Sequence, residues 1–142
     1  MKSTMNRLML GFAAIVGMGL AISNSPLYAQ STPLKVEIPF AFHAGNSTLP
    51  AGTYIVVRLG GAIRISDGNG HDVAVVSNSV DNKAKGNTSE LSFNRYSGEY
   101  FLEEVRWIGY SSAQGLMKSR MELELAKAAQ REDVKLAALT TR

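Results

Sequence analysis

No cysteine occurs anywhere in the 142 residues. That excludes a disulfide, a thiol nucleophile, Cys-ligated zinc, an iron–sulfur cluster and a lipid-modified cysteine anchor. Histidine is almost as scarce, with two residues in the chain, which puts a His-rich metal site out of reach. Charged residues make up 19% and hydrophobic residues 45%. Those fractions are close to globular averages, so wholesale disorder is not expected. The length suits a single domain. Long apolar runs are also missing, apart from one near the start.

That run, Leu8 to Ile22, follows Lys2 and Arg7 and is broken by Ser23-Asn24-Ser25-Pro26. Small Ala29 then suits the position before a signal-peptidase cut, although Leu27 is larger than usual two residues earlier. Charge, apolar stretch, breaker and small residue, in that order, predict a secretory signal peptide over residues 1–29. The run is short for a spanning helix, which needs ~20 residues. The expected location is therefore periplasmic or extracellular, with no stable membrane span after cleavage. Loss of Lys2 and Arg7 leaves 13 basic against 12 acidic residues, a net charge near +1 instead of +3. No electrostatic case for a nucleic-acid partner survives that correction.

The mature chain reads mostly as strands. From Pro33 to Phe42, residues Val36, Ile38, Phe40 and Phe42 recur with period two, which predicts a half-buried strand. Pro39 lacks a backbone donor and places that strand at an edge or a bulge. Ala44 to Thr48 reads as polar loop, and Leu49-Pro50-Ala51-Gly52 as a tight turn. Strands are expected at Thr53–Leu59, Ala62–Ser66 and His71–Ser77, separated by Gly60-Gly61 and by Asp67-Gly68-Asn69-Gly70. Asn78 to Ser89 is polar and predicts an exposed, mobile connection. Glu90–Tyr96 and Glu99–Ile108 form the strongest hairpin, turning at Ser97-Gly98. A two-residue turn there sets Phe93 opposite Leu102 and Arg95 opposite Tyr100. Leu91, Phe93, Tyr100 and Leu102 then share one face, and Phe101, Val105 and Trp107 the other.

The last stretch changes character. Ser119-Arg120-Met121-Glu122 fits a capping box, and Ala, Leu, Glu, Lys and Arg dominate from there to about Ala138. This predicts one helix, docked on the second face of the hairpin through Met121 and Leu125. Its later half, Arg131 to Leu139, is expected to project for partner binding or self-association. The expected organisation is a signal peptide (1–29), an antiparallel β domain (30–117) and a C-terminal helix and tail (118–142). The expected fold is mainly β, a small barrel or sandwich of about six strands with one C-terminal α-helix.

Ile38-Pro39-Phe40-Ala41-Phe42, Leu49-Pro50-Ala51-Gly52-Thr53-Tyr54 and Phe93-Asn94-Arg95-Tyr96-Ser97-Gly98-Glu99-Tyr100-Phe101-Leu102-Glu103-Glu104-Val105 resemble segments of small exported bacterial proteins of uncharacterised function. In these a signal peptide precedes an all-β domain and a charged helix like Lys118 to Ala126. The resemblance covers most of residues 35–126. It implies no catalytic residues and no established activity.

The chemical candidates are weak. His43 and His71 adjoin loops and read as loop-edge polar residues. Gly109-Tyr110-Ser111-Ser112-Ala113 approaches a nucleophile elbow but ends in Ala113 and lacks the strand–turn–helix setting. Glu103 and Glu104 are adjacent, so on a regular strand they point to opposite faces and cannot act as a pair. Asp67, Asn69 and Asp72 hint at calcium, but the EF-hand spacing fails and a hairpin turn is the plainer reading. Asn46-Ser47-Thr48 and Asn87-Thr88-Ser89 match glycosylation sequons and read as surface loops.

No catalytic, cofactor or metal residues are therefore assigned. Tyr96, Tyr100, Trp107, Tyr110, Arg131, Lys135, Leu136 and Leu139 are the candidates for an interaction surface. The expected function is that of an exported, non-enzymatic binding or structural protein. A barrel carrying an apolar ligand is the alternative, and a hydrolytic enzyme the third reading. Protein purified from its native host is expected to begin at Gln30, as checked by intact mass. A mass retaining Met1 to Ala29 would make the segment an anchor.

Overall fold

The structure, a computed structural model, describes residues 32–81 and 87–141. The signal segment lies outside the described residues. Ten strands and one helix follow in order: β1 (Leu34–Ile38), β2 (Phe42–Ala44), β3 (Ser47–Leu49), β4 (Gly52–Arg58), β5 (Ala62–Ser66), β6 (Asp72–Asp81), β7 (Ser89–Tyr96), β8 (Glu99–Arg106), β9 (Ser112–Leu116), α1 (Arg120–Ala128) and β10 (Glu132–Thr140). The strands lie in the order β3-β2-β8-β7-β10-β1-β4-β5-β6-β9, and β9 also pairs with β8. That last pairing closes β1 and β4 to β10 into an eight-stranded antiparallel barrel. The β2–β3 hairpin is appended to the free side of β8 through one parallel bridge, His43 to Phe101. A mainly β barrel with one helix is thus the architecture, with more strands than the six expected.

The interior is built by alternation. Leu34, Val36 and Ile38 of β1 point inward while Lys35 and Glu37 face out. Tyr54 and Val56 of β4, Ile63 and Ile65 of β5, and Leu91 and Phe93 of β7 complete the wall. Phe42 packs edge-to-face on Tyr54 and Phe93, with ring centroids 5.3 and 5.6 Å apart. Pro39 does not sit within a strand. Strand β1 is paired on both sides near its start and along β4, and it stops at Ile38. A residue without an N–H fits the break before β2 better than a paired position.

Phe93 faces Leu102 and Arg95 faces Tyr100, as the two-residue turn requires. Ser97 and Gly98 carry that turn with φ of 49° and 85°. The register then slips between Ser92 and Phe93, so that Ser92 faces Glu104 and Leu91 faces Val105. Glu103 is the extra residue of a β-bulge. The slip reverses the alternation beyond it. Val105 and Trp107 therefore enter the core with Leu91 and Phe93, instead of lying on the outer face with Phe101.

The segment Ala44–Thr48 is not loop but part of the β2–β3 hairpin, with Ala44 fully buried. Gly45 turns it at φ 60°, and a Cβ there would sit 3.0 Å from Val75 Cγ1. Asn78 to Asp81 are strand as well, held by β9 from Asn78–Gly115 to Asp81–Ser112.

The largest correction is at the C-terminus. The helix ends at Ala128, and Glu132 to Thr140 form β10, between β7 and β1. Val134, Leu136 and Ala138 turn inward, while Lys135, Ala137 and Leu139 turn outward. Arg131 to Leu139 do not project. Helix propensity loses here to the two strand edges that β10 satisfies. Deleting residues 130–142 is accordingly expected to abolish the cooperative thermal transition, read by circular dichroism. A truncated chain that melts like the full one would show that closure is dispensable.

Candidate functional site: the outer face of the barrel

The residues proposed from sequence as one surface are dispersed. Tyr96 and Trp107 are buried, and the Trp107 indole N–H donates to the Thr32 carbonyl at 2.9 Å. Tyr100 stacks on Phe40 at 3.8 Å, with the Arg95 guanidinium 5.4 Å from its ring centre. Tyr110 lies under the Arg58 guanidinium at the other hairpin end. Leu136 packs against the core, and Leu139 is exposed beside Lys35 and Glu37. Only Arg131 and Lys135 come together, in a charged cleft.

That cleft, of about 290 Å³, crosses β7, β8 and β10 on the outside of the barrel. Arg106 and Lys135 both approach Glu90, at 3.3 and 3.6 Å. Arg131 lies 3.2 Å from Asp133 and 4.0 Å from Glu103. The bulge brings Glu103 and Glu104 to this same cleft, contrary to the opposite-face expectation for a regular strand. Burial, then the neighbouring Glu103 and Glu90, hold the Glu104 carboxyl above the usual glutamate range, against the pull of Arg106 and Lys135.

A second layer covers the outside of the β7–β8 hairpin. Asn94 is fully buried beneath α1, and its amide donates to Glu122 Oε1 at 3.1 Å. The Ser119 hydroxyl accepts from the Glu122 N–H at 3.2 Å, which is the N-cap half of the predicted capping box. The other half is absent, since the Glu122 carboxylate turns to Asn94. The helix thus buries Glu122 and half-buries Leu125, while Met121 and Leu123 remain about half exposed.

His43 is no mere loop-edge residue. Its Nε2 meets Glu99 Oε2 at 2.7 Å, its Nδ1 meets the Thr48 hydroxyl at 3.0 Å, and its ring stacks on Phe101 at 4.6 Å. The order Thr–His–Glu has the connectivity of a hydrolytic relay. These three residues line none of the clefts described, and the His43 side chain is only 12% exposed. Their arrangement clasps the β2–β3 hairpin to β8. His71 similarly serves a turn. Asp67 accepts from the Asn69 and His71 amides and from His71 Nδ1, and Asp72 is gripped by Arg64. Both carboxylates weighed for calcium are thus already engaged, Asp67 within its turn and Asp72 by Arg64. Among the described residues, no group of three or more His, Asp or Glu side chains is arranged for a metal.

One further groove, of about 520 Å³, arises because β6 changes partner halfway. Asp72 to Val76 pair with β5, whereas Ser77 to Asp81 pair with β9 on the other edge. The Ser77 N–H donates to the Gly61 carbonyl at 2.9 Å, which fixes the alternation. Val73, Val75 and Ser77 turn their backbone groups toward β5. Ala74 and Val76 turn theirs the other way, where no strand pairs with them. Across this edge lie the Gly45 turn and Met117 to Arg120. Val76 and Met117 are about two-thirds exposed. Sequence reading missed this groove because it arises from strand order, which no local pattern encodes.

Comparison with protein-family models, with curated proteins and with solved structures found no match. Among the described residues, no helix is long and apolar enough to cross a membrane.

Replacing Glu104 with Gln tests the charged cleft. A carboxyl whose folded pKa is raised binds its proton more tightly in the folded state, so stability falls as pH climbs through the range just above the ordinary glutamate value. Glu104→Gln is expected to raise the melting temperature at pH 7 and to lose that advantage near pH 4. Equal melting temperatures for the two proteins at both pH values would show that Glu104 is not strained.

Proposed function

We propose that the chain is an exported, non-enzymatic binding or structural protein of the periplasm or cell exterior, acting through the outside of its barrel. The observation that carries this reading is the filled interior. Trp107, Tyr54, Phe42, Phe93 and Leu34 meet inside the wall with almost no exposure. Large side chains in that space favour a packed core over a ligand cavity, since barrels of this strand number hold either. The clefts instead lie outside, on strand edges and charged faces. The order of charge, apolar run and Ala29 in residues 1–29 supports export, as does the resemblance to small exported bacterial proteins. His43, Glu99 and Glu122, the side chains with the best connections for chemistry, are engaged in holding the β2–β3 hairpin and α1.

The discriminating experiment is titration with an environment-sensitive fatty-acid probe. The binding-protein reading expects no saturable one-to-one enhancement of fluorescence. Stoichiometric binding, displaced by unlabelled fatty acid, would favour the apolar-ligand carrier instead. Fractionation of the native host should place the protein outside the cytoplasm.

A further inference from the structure

We propose that the open edge of β6 receives an extended acidic peptide as an added strand; this rests on the reading of the chain as a binding protein and specifies its partner chemistry. Strand addition needs three things: unpaired backbone groups on a strand, room beside it, and side-chain contacts that select the guest. Ala74 and Val76 supply the first, because their N–H and C=O groups point away from β5 and both residues are exposed. The groove between them and the Gly45 turn supplies the second. Val76 and Met117 offer apolar contact, being 65% and 66% exposed on either side.

Charge selects the guest. Lys118 and Arg120 line the groove, and no carboxylate lines it with them. Among the described residues, no Asp or Glu lies within ion-pair distance of either cation; the Lys118 ammonium reaches only the Tyr96 hydroxyl, at 3.4 Å. This contrasts with the cleft across β7, β8 and β10, where Arg106, Arg131 and Lys135 all meet carboxylates. Arg120 is also the first residue of α1, where the partial positive charge of the helix end disfavours a cation. Two unneutralised cations beside a helix N-terminus make a local positive potential in a chain whose net charge is near zero once residues 1–29 are removed. An incoming carboxylate relieves it. A second copy of this chain docked edge to edge would instead bring Lys118 and Arg120 against their own counterparts.

The test uses a fluorescently labelled octapeptide alternating valine and glutamate, with fluorescence anisotropy as readout on the full mature chain. Saturable binding is expected, weakened at least tenfold by Arg120→Glu and by raised salt. A peptide alternating valine and lysine should bind at least tenfold more weakly than the valine–glutamate peptide. Methylating every backbone amide of the peptide should abolish binding, since a guest strand joins β6 only through N–H groups along one of its edges. On the protein side, Ala74→Pro removes a donor from the open edge and leaves the β5 ladder its bonds; it should abolish binding while retaining the native circular-dichroism spectrum. The peptide and Arg120→Glu arms decide the matter if Ala74→Pro does not fold. Equal binding of the lysine peptide, or binding indifferent to amide methylation and to Arg120→Glu, overturns the proposal. So does a wild-type dimer in analytical ultracentrifugation that Ala74→Pro dissociates, because the occupant is then a second copy. Any of these results leaves the broader binding reading intact, which stands or falls on the fatty-acid titration and on fractionation.

Discussion

Strand β10 holds the barrel shut. Its residues Glu132 to Ala138 pair with β7, and Leu139 and Thr140 then pair with β1. The first and last strands of the domain therefore meet, and neither half of the wall is complete until the final nine-residue strand is in place. The closure is fastened beyond the ladder. The Pro33 carbonyl accepts from the Thr141 amide at 3.0 Å and from its hydroxyl at 3.3 Å. Trp107 ties Thr32 to the same end of the barrel. With no disulfide available, this long-range pairing does the closing that a covalent staple does in other small domains. Its cost is kinetic. Contacts between residues about a hundred positions apart must form late, and folds of this kind are slow among small domains.

The bulge at Glu103 is the second constraint, and it acts on both faces at once. Without it, the parity set by Phe93 and Leu102 would carry Glu104 and Arg106 into the core and put Val105 outside. One extra residue reverses that. Val105 and Trp107 fill the barrel, and two adjacent carboxylates are left together outside, where Arg131, just before β10, meets Glu103 while Arg106 and Lys135 pull on Glu104. The core gain and the charge strain in the outer cleft thus have a common origin. Burying an indole with its N–H satisfied stabilises the fold by far more than a part-exposed carboxylate pair destabilises it.

Local patterns in the sequence carried much of the wall. Period-two alternation placed β1, β-branched content and the flanking turns placed β4 and β5, and the glycine-rich turns after those two strands lie where expected. The hairpin register followed from a two-residue turn as far as Phe93, and no sequence signal marked the bulge beyond it. Elsewhere the reading failed for three physical reasons. Val134, Leu136 and Ala138 do alternate, but Ala, Leu, Glu and Lys around them favour helix, and only the partners β7 and β1 decide the matter. Asn78 to Asp81 carry little apolar surface, yet a strand needs only ladder partners when one face meets solvent. Glu122 was legible as a capping residue and not as a buried one, because Asn94, its partner, is 28 residues away in sequence. The outer grooves belong to the same class, since they depend on which strands become neighbours.

Two strands, β6 and β10, pass along their length from a partner on one edge to a partner on the other, and the consequences differ. In β10 the change joins the two halves of the wall. In β6 it leaves the backbone of Ala74 and Val76 without a neighbour. Open edges are usually blunted by a proline, a bulge or a lysine, because they pair promiscuously. Asp72 to Val76 contain no proline or lysine, and the one charge, Asp72, is held sideways by Arg64 on β5. What borders the edge is Lys118, on the segment that connects β9 to α1, and Arg120, the first residue of that helix. Cations set beside an edge, instead of on it, repel basic strands while leaving the ladder free for acidic ones. The segment that positions them is itself anchored by Ser119 and Glu122 to Asn94. The buried carboxylate under the helix therefore fixes where the positive charge lies relative to the open strand, and the two features of the outer face are one construction.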